Sequence, residues 1–355
     1  MPAKLICIWK HKSIWLCLLL IIIISVSAGM VYRSFFVLPY EQHEKTVYAM
    51  DTQITLTAYG TKGEAGLEAA EREIYRLEKL LSATDEHSDI YAVNKSGGRA
   101  VSVDEDTAEA VSFALEMTGK TGGALEPTLY PIVKAWGFTT GQYRIPSDDE
   151  LEGLFGLVDH KKVFVQGNTI YLPDGMELDL GAVGKGFAGD KVIALLKEKG
   201  IRSALINLGG NVQALGTKPD GSNWRVGIKS PDSSDYLGIV NIADCAVVTS
   251  GAYERFFIGA DGRKYGHIIN PATGKPVDNG ILSVTIIAPQ GRSADALSTA
   301  MFVLGKDDAI AYWQEHRDFE MILLTAEQEI YITEGIADSF ELSARYNNLK
   351  TVVVH

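Results

Sequence analysis

Three stretches of the sequence gather residue types that can bind or move charge. The first is Leu178-Asp179-Leu180-Gly181-Ala182-Val183-Gly184-Lys185-Gly186-Phe187, an apolar run entering three close glycines and then a helix. Glycines let the backbone approach a ligand, and a helix start offers free amides and the positive end of its dipole. Lys185 adds a cation where a phosphate would sit, and Asp179 an acceptor for a hydroxyl or amine. The same residues also fit a plain strand-to-helix turn with Lys185 in solvent. No G-x-x-x-x-G-K-[ST] is present, so this is not a Walker A loop.

The second stretch runs from Ser293 to Phe302. On a helix, Asp295, Ser298 and Thr299 stand at i, i+3 and i+4 and share one face, while Leu297, Ala300, Met301 and Leu304 form the apolar face. A carboxylate beside hydroxyls supplies the hard oxygen ligands that Mg²⁺ prefers. Read more plainly, Asp295 is a helix N-terminal charge and the two hydroxyls bond to backbone. The third stretch places His267 just before the tight turn Asn270-Pro271-Ala272-Thr273-Gly274, where a histidine serves either as a base or as a hydrogen-bonded structural residue. Glu126-Pro127-Thr128, Asn207 to Asn211, and Thr249-Ser250-Gly251-Ala252 also have the composition of ligand-facing loops.

These segments need elements to hold them. Thr46–Tyr59 reads as a strand, and Lys62–Leu81 as a helix whose apolar face carries Ala70, Ile74, Leu77 and Leu81. Asp106–Thr118 reads as a helix opened by Asp106 and Glu109 at capping-box spacing, and Ser147 with Glu150 repeats that spacing. Val163–Leu172 is a hairpin about Gln166-Gly167-Asn168, and Phe187–Lys199 a helix stopped by Gly200. Strands are expected at Ser203–Leu208, Trp224–Ile228, Leu237–Val248, Tyr253–Gly259 and Leu282–Ala288. Helices follow at Ser293–Leu304 and Asp307–His316, and strands at Met321–Thr325 and Glu329–Thr333 finish the fold. Strands and helices come in runs, which predicts an α+β fold with largely antiparallel sheets rather than a doubly wound parallel one. The absence of an early G-x-G-x-x-G argues the same way.

The chain has 355 residues, 46% apolar and 22% charged, enough for a sizeable core. Residues 1–39 hold Lys4, Lys10, Lys12 and Arg33 and no acid; the remainder sets 29 basic against 45 acidic residues, a net of −16. So acidic a body excludes general nucleic-acid binding, which needs basic surface. Cys245 is alone in the body, in an apolar run, so no disulfide framework exists there and the thiol reads as core. Ile14 to Tyr32 carries no charge, close to the ~20 apolar residues of a spanning helix. Residues 1–32 are therefore expected to anchor the chain in membrane lipid. The Lys10 and Lys12 flank places the N-terminus in the cytoplasm and the body outside. A cleaved signal peptide, with Ser25-Val26-Ser27-Ala28 near the cut, is the competing reading. Residues 33–45 read as a linker.

Taken together, six segments resemble the FAD:protein FMN transferases, in that family's order and spacing. They are Met50-Asp51-Thr52, Gly123 to Thr128, Asp179 to Gly186, Asn207 to Gly210, His267 to Gly274, and Asp295 to Ala300, within about residues 46–335. The resemblance implies an FAD-binding transferase domain over 46–345, related in architecture to the T-fold. It implies that Met50, Ala124, Leu125, Glu126, Asp179, Lys185 and Ile269 hold FAD. Thr84 falls where the family usually carries an aromatic residue over the flavin; Asp51 replaces a usual Gly and Asn270 a frequent Asp. Mg²⁺ would be held by the Ala182 carbonyl with Asp295, Ser298 and Thr299, joining the first two stretches around one ion. His267 is then the candidate base, with an ordinary pKa near 6.5. The implied reaction moves FMN from FAD to a threonine of an acceptor protein, such as a membrane redox-complex subunit or an extracytoplasmic flavoprotein. An FAD pyrophosphatase and a flavin-binding protein without turnover are the alternatives.

Overall fold

The computed structural model describes residues 3–32, 40–231 and 235–355, with side chains from Trp15 onward other than that of Cys17. Nine strands form the central sheet: β1 (Gln42–Ala49), β2 (Thr52–Tyr59), β3 (Ala204–Leu208), β4 (Asn211–Leu215), β5 (Ala246–Gly251), β6 (Ile281–Ala288), β7 (Glu320–Thr325), β8 (Glu329–Thr333) and β9 (Lys350–Val354). They lie side by side in chain order. Every pairing is antiparallel except the last, β8 with β9. The expected α+β class with antiparallel sheets holds.

The helices are α1 (Ala3–Tyr32), α2 (Gly63–Leu81), α3 (Asp89–Asn94), α4 (Glu105–Lys120), α5 (Tyr130–Ala135), α6 (Asp148–Phe155), α7 (Gly184–Glu198), α8 (Gly291–Leu304) and α9 (Lys306–His316). Alternate sheet residues enter two different cores. Ile54, Leu56, Ile206, Val248, Val284 and Ile286 face α2, α7 and α8. Val212, Val247, Ile287, Ile322 and Ile330 face a small three-stranded sheet of 224–229, 236–242 and 340–342, led by Trp224, Val226 and Val240. The central sheet is thus buried on both sides, helices on one face and a sheet on the other. A third cluster, Leu129, Ile132, Trp136, Phe138, Leu151 and Ile269, fills a lobe around α5 and α6.

Several boundaries differ from expectation for physical reasons. The single strand over 46–59 is a hairpin: Met50 and Asp51 sit at φ 52° and 58°, a two-residue primed turn joining Ala49 to Thr52. Its first strand already includes residues 42–45, expected as linker; residues 33–39 of that linker lie outside the described residues. The run 237–248 breaks at Asp244, φ 49°, into one strand of the small sheet and β5 of the central one. Asn211, expected in a loop, opens β4, because Gly209 and Gly210 make the hairpin turn before it. The cap of α4 is Asp104, whose side chain accepts from the Asp106 amide; Asp106 and Glu109 instead form ion pairs. Ser147 does cap α6. The chain does not finish at Thr333, since β9 adds an edge and reaches past residue 345. No helix among the described residues is long and apolar enough to cross a membrane. Those residues exclude the side chains of 3–14 and of 17, on which the expected span and its lysine flank partly rest.

Candidate active site

Helices α7 and α8 cross by their backbones at their N-terminal ends. A Cβ on Gly186 would lie 2.2 Å from the Gly291 carbonyl oxygen, and one on Gly189 or Gly291 would strike the Gln213 amide. Gln213, buried on β4, donates from Nε2 to the Gly186 carbonyl at 3.1 Å. Two glycines of the expected ligand-approach set thus have different duties. Gly186 is spent on helix packing, whereas Gly184 has nothing within 4 Å of where a Cβ would stand and keeps open space before it.

The crossing delivers Asp295 to the start of α7. Asp295 is 4% exposed, and its Oδ2 accepts the Gly186 amide at 2.8 Å. Burial raises its pKa above the usual carboxylate range, opposed by the Lys185 charge and by the Gly186 amide. The Asn211 amide stands close enough to favour the ionised form without closing a well-formed hydrogen bond. No ion pair among the described residues includes Asp295, Asp179 or Lys185; those near them join Lys191, Arg292, Glu109, Asp106 and Asp190.

The expected face of α8 is present. Ser298 Oγ donates to the Asp295 carbonyl at 2.9 Å, the backbone bond of the plainer reading, and lies 2.8 Å from Ser250 Oγ. Ser250 Oγ is also 3.4 Å from Thr299 Oγ1. Each hydroxyl has one proton. With the Ser298 proton spent on the carbonyl, Ser250 donates to Ser298 and Thr299 donates to Ser250. Thr299 then keeps both lone pairs free, and Ser298 keeps one. Leu297, Ala300 and Met301 are buried in the core, as the periodicity predicts.

Asp179 and His267 also lie within reach of the Lys185 charge. The Asp179 amide donates to the Pro127 carbonyl at 2.8 Å, which ties the 124–128 loop to the segment that enters α7. Its carboxylate accepts the Gly181 amide at 3.2 Å, and burial raises its pKa against the pull of Lys185 and Arg255. His267 Nδ1 lies 3.1 Å from the Arg255 carbonyl, so Nδ1 carries the proton and Nε2 is the basic nitrogen. Burial, with Arg255 and Lys185 nearby, lowers its pKa to about 4. The ordinary value near 6.5 expected from sequence is therefore corrected: this imidazole is neutral well below pH 7. Arg255, which touches both groups electrostatically, carries no sequence signal; it lies in a strand-edge turn with no motif around it.

The remaining expected residues are spread more widely. Glu126 accepts from Thr128 N and Oγ1 at 2.9 and 2.6 Å, and pairs with His160 Nδ1 at 2.8 Å, so both its oxygens are occupied. Ala124 and Leu125 are core residues beside it, and Ala182 is half-buried in the turn before α7. The Met50 amide donates to Glu78 at 2.6 Å. Thr84 is exposed after α2 and bonded to Ser82. Ile269 is buried in the third cluster, before a turn closed on Asn270 as read from the sequence. Among the described residues no three His, Cys, Asp or Glu side chains gather into a metal cluster. Cys245 is half-buried with its thiol pushed up to about 11, an inert core group.

The profile of the ApbE family matches residues 50–323. The FAD:protein FMN transferase of Treponema pallidum is 35% identical over 329 residues, covering 86% of this chain and 91% of its own. That of Escherichia coli K12 is 33% identical over 243 residues, 65% of this chain and 69% of its own. Among solved structures, the ApbE protein of Thermotoga maritima superposes with a TM-score of 0.76 at 30% identity, over 87% of this chain and 99% of its own. The flavin transferase ApbE of Vibrio cholerae does so at 0.73 and 26%, over 88% and 100%. The matched span contains the α7–α8 crossing, the Asp179 segment and His267, and on these grounds the chain belongs to the ApbE family.

Proposed function

We infer that this chain moves the FMN half of FAD onto a threonine hydroxyl of an acceptor protein and releases AMP. The observation that carries the reading is Asp295: a buried carboxylate with no ion-pair partner among the described residues, fixed by an α7 amide, beside Thr299 and Lys185. Burying an unpaired charge is costly and persists where a ligand compensates it. The named activity of the Treponema pallidum and Escherichia coli relatives supports the same conclusion.

The donors fit Mg²⁺: the free Asp295 oxygen, Thr299 Oγ1 and the Ala182 carbonyl are hard oxygens, and water and phosphate complete its shell. Ser298 Oγ, with one lone pair left, stands beside this set and also orients Ser250. When bound, Mg²⁺ offsets charge on the FAD pyrophosphate and on the departing AMP. Lys185 and the amides at Gly184 face the phosphates, while Asp179 and the 124–128 loop, joined through Pro127, hold the flavin end with Met50 and Ile269. The threonine oxygen attacks the FMN phosphorus, forming a P–O bond as the P–O bond to AMP breaks. His267 Nε2 takes the hydroxyl proton. So weak a base removes it only as the new bond forms and the hydroxyl becomes acidic.

The test is mass spectrometry of an acceptor protein after incubation with the full chain, FAD and Mg²⁺. An FMN adduct on threonine with one AMP released is expected. Free FMN with unmodified acceptor indicates a pyrophosphatase, and no AMP a binding protein; either result overturns the transferase reading. We further propose that the uncharged run Ile14 to Tyr32 anchors the chain, leaving residues 40–355 outside the cytoplasmic membrane. A reporter fused after His355 is expected to be active only outside the cell, and cytoplasmic activity would reverse the orientation.

A further inference from the structure

Helices α7 and α8 each supply what the other's first turn lacks. The Gly186 amide of α7 donates to Asp295 of α8 at 2.8 Å. In the opposite direction, Asp190 of α7 takes the amides that open α8: Gly291 N at 2.6 Å and Arg292 N at 3.2 Å. The residue before α8, Gln290, makes no side-chain cap, so Asp190 serves those orphan amides from a separate helix. Arg292 folds back on the same carboxylate, Nε to Oδ2 at 2.8 Å, with Nη1 on Glu109 at 2.6 Å and its guanidinium 4.7 Å from the Phe187 ring centre. At the crossing itself Gly186 and Gly291 meet as bare backbone, with the Gln213 amide of β4 against both.

We propose that Asp190 is a positioning residue for catalysis, fixing the rotation and advance of α8 so that the oxygens of Asp295 and Thr299, on its next turns, converge on one ion. The proposal rests on the metal site inferred above. Two opposed links set the register of these helices. Cutting the Asp190 link leaves the Gly186–Asp295 bond as the one hydrogen bond between α7 and α8 among the described residues, and that bond runs through the ligand itself. Groups that orient metal ligands typically change affinity by about 10–100-fold when altered.

The experiment compares wild type, Asp190→Asn, Asp190→Ala and Asp295→Asn in the full chain, with Leu77→Ala as a core-destabilised control. Mn²⁺ binding is read by electron paramagnetic resonance without FAD, and the Mg²⁺ half-saturation of AMP release with FAD in excess. The Asp190 variants are expected to bind Mn²⁺ about tenfold more weakly or worse. Their Mg²⁺ half-saturation should rise to match, with kcat at saturating Mg²⁺ within about threefold of wild type. Leu77→Ala is expected to melt earlier with Mn²⁺ affinity unchanged. Asp190 variants that melt earlier yet bind Mn²⁺ like wild type would reduce Asp190 to a stabilising cap and overturn the proposal. Wild type and Asp295→Asn binding Mn²⁺ equally would instead overturn the metal site, and the proposal with it.

Discussion

At the scale of single residues the site is a set of charges kept in awkward places. Asp295 is buried with a raised pKa and no ion pair. A carboxyl whose folded pKa exceeds its unfolded value of about 3.9 adds stability only below that value and loses it as pH rises through the folded pKa. At neutral pH, above that unfolded value, an ionisable carboxyl at position 295 therefore weakens the metal-free fold. Asp295→Asn removes that charge and is expected to melt above wild type without Mg²⁺ at pH 7, and no higher at pH 4, while Mg²⁺-dependent FMN transfer collapses. Melting curves at the two pH values check the first part; transfer at the wild-type rate in saturating FAD and Mg²⁺ would remove the metal assignment. His267 has the opposite sign. Its pKa falls to about 4, so its neutral form contributes stability that is present above the unfolded value of about 6.5 and lost as pH falls toward 4. The acid limb of kcat/KM is accordingly expected near pH 4, and a limb near 6.5 that vanishes in His267→Gln would show that the imidazole is not held neutral.

At the scale of elements, two glycines in the first turn of α7 divide ligand approach from packing. Gly186→Ala drives a methyl into the Gly291 carbonyl, backbone against backbone, and is expected to cost about 1–3 kcal/mol as overpacking while displacing Asp295. Gly184→Ala meets nothing and has no positive φ, so its melting temperature should hold while FAD binding weakens. Calorimetry with FAD and a melting curve separate the two; equal melting losses would mean the crossing is not where the constraint lies. The same contrast explains what was legible in the sequence. The apolar faces of α2 and α8 and the Ser147 cap were readable because helical periodicity survives when one face is buried. β4 was missed because all of its residues are buried, which erases the alternation that marks a strand. Asp295, Ser298 and Thr299 were readable as neighbours on one helix. Asp190 and Arg255 were not, since the groups they serve are distant in sequence: Asp190 meets Gly291 across 101 positions. The lowered pKa of His267 likewise depends on burial that no local motif encodes.

At the scale of the whole molecule, the sheet is built in chain order while the site is carried by its excursions. The long β2–β3 connection, which holds α2 to α7, supplies residues 124–186, the β5–β6 connection supplies Arg255 and His267, and α8 follows β6 directly. Such a site is only as well placed as the sheet is closed, which gives the last strand a structural duty. β9 pairs in parallel with β8 and covers an edge that would otherwise present free amides and carbonyls. Just before it Tyr346, buried among the strands of the second core, donates its hydroxyl to Ser230 at 2.6 Å, and Val354 is buried at the end of the strand. Each of these side chains stabilises by about 1.5–3 kcal/mol on burial. Ending the chain at Ser343 removes both and reopens β8. The truncated protein is expected to melt at least about 5 °C lower and to associate at concentrations where the full chain does not. Its remaining transfer activity at low temperature should keep the wild-type KM for FAD, because no residue assigned to FAD lies beyond Thr299. An unchanged melting temperature would show that β9 is dispensable to the sheet, and a raised KM with unchanged melting would place part of the FAD site in the last twelve residues, 344–355.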